Sequence, residues 1–411
     1  MNLTQKERNV LREAAKVYME YANLPIQKEK IELWKSLNRS QMKRPMVVIE
    51  QIPWNEMNIN NELDLFVQDP LFRKIEDKLK REIYKFKHYP VDMVIDPFIR
   101  IPMAISNTGY GVVAKKETLH HAGNVNSQVF TNLFETMEDV EQIKDMVITH
   151  DKEETMRRLE FAKDLFDGIA PVMPEGNMFH LGVWDAISEF MGVENVYFDV
   201  IDEPEKLHLI MEKMTNSVLK GIEQTNELEI YDVNANVSHC SYIYTDELLP
   251  GSGQGKRAIT KNGWAFGLAQ LFSSMSPDTF EELEIPYIRR MAEHFGMIYY
   301  GCCDRLDDRL ESVMTIPNLR KVSCSPWSDR EAFAEKIGPK IIMSNKPTPA
   351  LVATSKLDEE EIRKDLQRTV DAAKANNVNL EIILKDISTV NKEPERLTRW
   401  ANIAMDVVNN Y

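Results

Sequence analysis

A (β/α)8 barrel carrying an N-terminal helical extension is the fold this chain predicts, and three observations predict it. From about residue 90 onward, short β-rich runs alternate with helical stretches, the signature of repeated βα units around a parallel sheet. Seven such runs occur, at 94–105, 178–183, 233–240, 297–301, 321–325, 340–344 and 380–384, which is closer to a barrel's eight strands than to an open doubly wound sheet. No Gly/Ser/Pro-rich linker and no internal repeat divides the chain. The expected organisation is therefore an extension over residues 1–88, packed on a barrel over 89–411. The extension reads as helices at 8–21, 27–37 and 69–86 around one short strand at 45–50. Within the barrel, a helix at 203–228 follows Asp202. Another at 276–295 starts with Ser276 as N-cap and Pro277 in the first turn and stops at Gly296; helices at 358–376 and 394–409 close the set.

Composition narrows the function. The 411 residues are 43% apolar and 28% charged, enough for a sizeable core. With 65 acidic against 50 basic side chains the formal charge is −15, which argues against nucleic acid or an anionic membrane surface as partner, since both need clustered Lys and Arg. A small molecule or a protein fits better. The charged start, Met1 to Arg8, has no apolar leader region, and no apolar stretch is long enough to span a bilayer, so a cytoplasmic protein is expected. Four cysteines, Cys240, Cys302, Cys303 and Cys324, are too few for a disulfide framework and are expected to be thiols.

In a parallel barrel the chemistry sits where strands end, so those positions hold the candidates. Near 178–183, His180 and Trp184 offer an aromatic wall for a planar ligand, although Trp184 suits a core equally well. The run at 233–240 ends in His239 and Cys240, which point to opposite faces of a strand and cannot both be ligands unless the chain turns there. The run at 297–301 leads into Cys302, Cys303 and Asp304, the most chemically loaded strand end in the sequence. A zinc thiolate or a reactive thiol would account for it, although vicinal cysteines are not the usual chelate spacing. Lys346 follows 340–344, and Asp386 follows 380–384; a cation here can pair with a substrate carboxylate or phenolate, with Asp386 as its partner or as a proton acceptor, or the two can form a structural pair. The segment Pro250 to Arg257 ends in Gly255-Lys256 but lacks the P-loop's earlier Gly and its Ser or Thr, so the loop over 250–263 is read as a docking or gating element at the barrel mouth.

Several of these stretches carry a family resemblance. Ser276-Pro277-Asp278-Thr279-Phe280-Glu281-Glu282 with Ile285-Pro286-Tyr287, then Tyr300-Gly301-Cys302-Cys303-Asp304, Ser325-Pro326-Trp327 and Ser344-Asn345-Lys346-Pro347, together with Arg44-Pro45-Met46-Val47, resemble the uroporphyrinogen decarboxylase superfamily. The likeness is to its long bacterial branch, which is similar to corrinoid-dependent, O-demethylase-type methyltransferases. Two departures are plain. The Arg-rich Met-Arg-Gln-Ala-Gly-Arg segment of the decarboxylase is missing, and of the His-x-Cys pair and later Cys that hold zinc in the thiol-methylating members, Tyr300 or Gly301 stands near the His and Ser344-Asn345-Lys346 near the later Cys.

The resemblance implies a methyltransferase that moves a methyl group from a small methylated donor, such as a methoxylated aromatic, to the cobalt of a corrinoid carried by a separate protein. This chain has no Asp-x-His-x-x-Gly segment for binding cobalt itself. On that implication His239, Cys302 and Cys303 hold zinc, and Asp304, Lys346 and Asp386 are catalytic. His180, Trp184, Tyr242 and Tyr300 then line the substrate slot, and a homodimer remains open. The alternatives are a cofactor-free decarboxylase, which calls for several Arg at the mouth where the sequence offers Arg100 and Arg305, and a non-catalytic barrel that binds a corrinoid or protein partner.

Overall fold

The computed structural model describes residues 1–120, 126–248 and 257–411. At its centre lie six parallel strands: β1 (Met46–Ile49), β2 (Trp264–Gly267), β3 (Met297–Tyr300), β4 (Leu319–Cys324), β5 (Ile342–Asn345) and β6 (Leu380–Leu384). Their spatial order is β1-β6-β5-β4-β3-β2. Apart from Leu319 and Arg320 at the start of β4, every residue in these strands is buried, as expected of a parallel sheet covered on both faces. Each strand return is made through helices. The last two, Glu359–Ala375 and Glu395–Asn409, pack on each other, and the final one also packs on β1. The chain is thus a mixed α/β protein with a parallel central sheet, an arrangement compatible with a TIM-like fold.

Four of the seven expected strands appear close to their predicted bounds, as β3, β4, β5 and β6. The other three differ for physical reasons. Residues 94–105 do not form one strand: Ile99–Pro102 pairs in parallel with Val172–Glu175, and Ile105–Asn107 turns away to pair antiparallel with Ile148–His150. At 178–183 only an isolated parallel bridge joins His180 to Phe266 of β2, because Val183 already begins the helix Val183–Met191. At 233–240 the chain folds into a small antiparallel hairpin of Val237–Ser238 with Ser241–Tyr242. The strand missing from the sequence reading is β2, whose Trp-Ala-Phe-Gly run carries no β-branched residue. The strand at 46–49 lies within the segment assigned to the extension, yet it pairs with β6 in register Val48 to Ile383. The expected helix at 276–295 is two, Pro277–Leu283 and Ile285–Ala292, since Pro286 has no N–H to continue the first. Among the described residues no helix is long and apolar enough to cross a membrane.

What positions the site is one face of this sheet. The register places Phe266 beside Tyr299, Tyr299 beside Lys321, Ser323 beside Ser344 and Ser344 beside Glu381, so these side chains share a face. The 237–242 hairpin is fixed against it. Lys321 and Glu381 are fully buried and paired at 2.7 Å, and both bond Ser241 Oγ, at 2.7 and 2.9 Å. Ser344 Oγ donates to the other carboxylate oxygen at 2.5 Å, and Lys321 also donates to the Tyr242 carbonyl at 3.1 Å. Burial works against the ionised carboxyl of Glu381, but Lys321 and Lys346 outweigh it and hold its pKa below the usual value. Tyr242, stacked on Trp34 with ring centroids 5.2 Å apart, closes the hairpin's other end.

Candidate active site

At the carboxyl ends of β3 and β6 five groups meet: His239, Cys302, Cys303, Lys385 and Asp386. The hairpin turn puts His239 at φ 54°, the reversal that lets its ring and the Cys240 thiol part company. The imidazole lies parallel to Phe266, with centroids 4.1 Å apart and planes 6° from parallel. Its Nε2 is 3.2 Å from Cys302 Sγ and 3.0 Å from Lys385 Nζ. Lys385, one residue past β6, donates to Cys302 Sγ at 2.8 Å. Cys303 Sγ is 3.5 Å from Cys302 Sγ and donates to Asp386 Oδ2 at 2.8 Å.

The loop after β3 is shaped for this. Gly301 has φ 90°, a left-handed conformation, and a Cβ there would stand 2.6 Å from Leu306 Cδ1. The bend brings the Cys302 N–H to Asp304 Oδ1 at 2.7 Å and the Cys302 carbonyl to Ser323 Oγ at 2.6 Å. Asp304 is therefore a buried brace for the cysteine loop. Its other oxygen has no hydrogen-bond partner, and burial lifts its pKa to about 6.

The electrostatics assign the charges. Contact with the Cys303 sulfur, and then with His239 and Lys385, lowers the Cys302 thiol against the cost of burial, so of the two cysteines Cys302 is the one the site favours as a thiolate. Cys303 is pushed the other way by that same neighbour and by burial, and stays a thiol. Burial alone would depress Lys385, but the Cys302 thiolate beside it raises it, so Lys385 remains an ammonium. Lys346 is different. It is buried and donates to Tyr299 OH at 2.7 Å and to Ser344 Oγ at 2.5 Å, and burial lowers it to about 8.

Of the residues singled out from sequence, the fold brings His239, Cys302, Cys303, Asp304 and Asp386 together. Lys346 lies lower on the same face, its ammonium taken up by Tyr299 and Ser344 rather than offered to a ring carboxylate. His180 is exposed and bridged to Phe266, on which His239 stacks. The three aromatics expected to line the slot are elsewhere. Trp184 is fully buried edge-on to Phe272, Tyr242 packs on Trp34, and Tyr300 points into the helical layer, its hydroxyl donating to Glu284. Arg100 is engaged by Asp232 and Arg305 by Asp307, so neither is a free cation for a carboxylated substrate. In the 250–263 loop, residues 250–256 lie outside the described residues, while Arg257 pairs with Glu229.

The sequence reading missed Lys385, Glu381 and Lys321. The signal for Lys385 was present: a lysine directly after the all-apolar end of β6 has nowhere to go but the strand-end site.

The zinc set does not fit this arrangement. Among the described residues no three His, Cys, Asp or Glu side chains converge on a point that could hold a metal ion. His239 Nε2 and Cys302 Sγ are in direct contact at 3.2 Å with the Lys385 ammonium against both, and Cys303 turns toward Asp386. A dication placed there would meet a fixed positive charge about 3 Å away, a repulsion of about 10 kcal/mol even at an effective dielectric of 20.

No family model matches the chain, and a search of curated proteins finds no similar sequence. Among solved structures the fold is similar to that of a methyltransferase from Methanosarcina mazei, with a TM-score of 0.52 over 90% of this chain and 97% of that one, at 10% sequence identity. At that identity the likeness establishes a shared fold.

Proposed function

We propose that this protein is a methyltransferase that moves a methyl group from a small methylated donor, a methoxylated aromatic in the first instance, to the cobalt of a separate corrinoid protein. The observation that carries the reading is the Lys385–Cys302–His239 triangle at the carboxyl edge of a parallel sheet, in a fold similar to that of the Methanosarcina mazei methyltransferase. Also proposed are closure of the sheet into a (β/α)8 barrel by residues 91–96 and 177–181, and a cytoplasmic location.

The chemistry asks for a leaving phenolate to be stabilised as its methyl departs. Corrinoid cobalt in its Co(I) state supplies the nucleophile on the partner protein. Within this chain, Lys385 is the group able to place a proton or a positive charge on the ether oxygen, acting as general acid. His239 returns the proton to Lys385 across 3.0 Å. Phe266 fixes the plane of the imidazole, and Asp386 Oδ2 on the exposed rim meets both Cys303 Sγ at 2.8 Å and Lys385 Nζ at 3.3 Å.

The reading is tested by mixing the purified chain with Co(I) cobalamin and a panel of methoxylated benzoates and phenols, following loss of the Co(I) absorption. The proposal expects methylation of cobalamin and release of the matching phenol at rates above the protein-free control. Turnover of none of the donors, including with methylated amines and thioethers added to the panel, would remove it.

A further inference from the structure

We infer that Cys302 is itself a methyl acceptor, a covalent way-station between donor and cobalt; this extends the methyltransferase reading and rests on it. The argument is geometric. Cys302 Sγ has two nitrogens within hydrogen-bonding reach, Lys385 Nζ at 2.8 Å and His239 Nε2 at 3.2 Å, and a neighbouring thiol at 3.5 Å. Three groups gathered on one sulfur are more than a filler cysteine acquires. Cys240 and Cys324, both buried, show the contrast: burial pushes their thiols up to about 12. The site also opens outward, since Cys303 is half-buried and the Asp386 side chain is 43% exposed.

In the first step the thiolate lone pair forms the S–CH3 bond as the donor's CH3–O bond breaks, and the departing oxygen takes a proton from Lys385. In the second the S–CH3 bond breaks, its electron pair returns to sulfur, and the methyl leaves for the Co(I) nucleophile. The two nitrogens serve both steps. Lys385, neutral after the first, regains a proton through His239, and the thiolate is again held by charge-assisted hydrogen bonds, which makes it a good leaving group. Two displacements give net retention at the methyl carbon, where direct transfer gives inversion.

The experiment uses the full, freshly reduced chain and methyl 4-nitrobenzenesulfonate as methyl source, with cysteine peptides read by fragmentation mass spectrometry. Cys302 is expected to be methylated at least ~10-fold faster than Cys240, Cys303 or Cys324, and Lys385→Met to erase most of that preference while Lys385→Arg keeps part of it. Adding Co(I) cobalamin to the methylated chain is expected to strip the methyl from Cys302. Methylation spread evenly over the thiols, or an S-methyl group that Co(I) leaves in place, overturns the inference. A Cys302→Ser variant that still moves methyl from donor to cobalamin at the parental rate overturns the way-station while leaving the methyltransferase reading intact. Failure of the parent with every donor removes that reading instead, and the labelling result stands apart from it.

Discussion

Replacing Lys321 by Met removes the cation from a pair that is fully buried on both sides. Lys321 Nζ makes three hydrogen bonds, to Glu381 at 2.7 Å, to Ser241 Oγ at 2.7 Å and to the Tyr242 carbonyl at 3.1 Å. Without it, Glu381 keeps two hydroxyl donors and no direct ion-pair partner, and breaking a buried pair from one side costs about 3–5 kcal/mol. Removing both charges is far milder, because no lone ion is left, so Lys321→Met/Glu381→Leu is expected to recover most of the loss. Urea unfolding followed by circular dichroism reads both. A functional consequence travels with it: Ser241 anchors the hairpin that carries His239, so methyl transfer should fall in the single variant even under conditions where it stays folded. A loss below about 1 kcal/mol for Lys321→Met would refute the claim that this pair pins the hairpin.

Lys385→Met is expected to lower the rate of methyl transfer about 100-fold or more, in the range for a missing general acid, with a smaller effect on donor KM; Lys385→Arg should restore the charge but not the proton, and only part of the rate. Gly301→Ala forces a side chain into the left-handed region and against Leu306, and a destabilisation of about 1–3 kcal/mol, read by thermal melting, is expected together with loss of Cys302 alkylation. Glu284, 1% exposed, is pushed up to about 8 by burial, with Asp304 and Asp185 adding to it. A carboxyl whose folded pKa is raised stabilises the fold below its unfolded value of 4.5 and loses that contribution as pH rises through about 8. The melting temperature should therefore decline between those pH values, and Glu284→Gln, which still accepts from Tyr300, should flatten the decline. Elemental analysis of protein purified without chelator should give well below one zinc per chain, with transfer rates unchanged by dialysis against chelator.

Much of the fold was readable because buried parallel strands announce themselves. Runs such as Leu380-Glu381-Ile382-Ile383-Leu384 are too short and too apolar to be surface helices. Helix caps were legible in part: Ser276 accepts from the Thr279 N–H as expected, but Asp202 ends the helix Val193–Asp202, and the next helix starts after Glu203 with no side-chain cap. What failed were places where tertiary contacts override the pattern. The alternation of 233–240 looks like a strand, but His239 breaks it in order to stack on Phe266, and Ser241 is drawn to a Lys321–Glu381 pair distant in sequence. The same long-range pairing hid the site's polarity, since a Lys and a Glu inside strands read as surface residues until they are seen to neutralise each other. The thiols were legible as chemistry but not as partners of Lys385, because charge pairing across β3 and β6 leaves no spacing in the sequence.

The most direct test follows the methyl group itself. The chain, Co(I) cobalamin and an aryl ether bearing a trideuterated methyl are reacted through a single turnover, and the cobalamin is analysed by mass spectrometry alongside a measurement of released carbon dioxide. The account predicts the intact label on cobalt, one phenol released per methyl moved, no carbon dioxide, and loss of the signal in Lys385→Met. An unlabelled cobalamin with carbon dioxide evolved from a carboxylated donor would contradict it and point to a decarboxylase in its place.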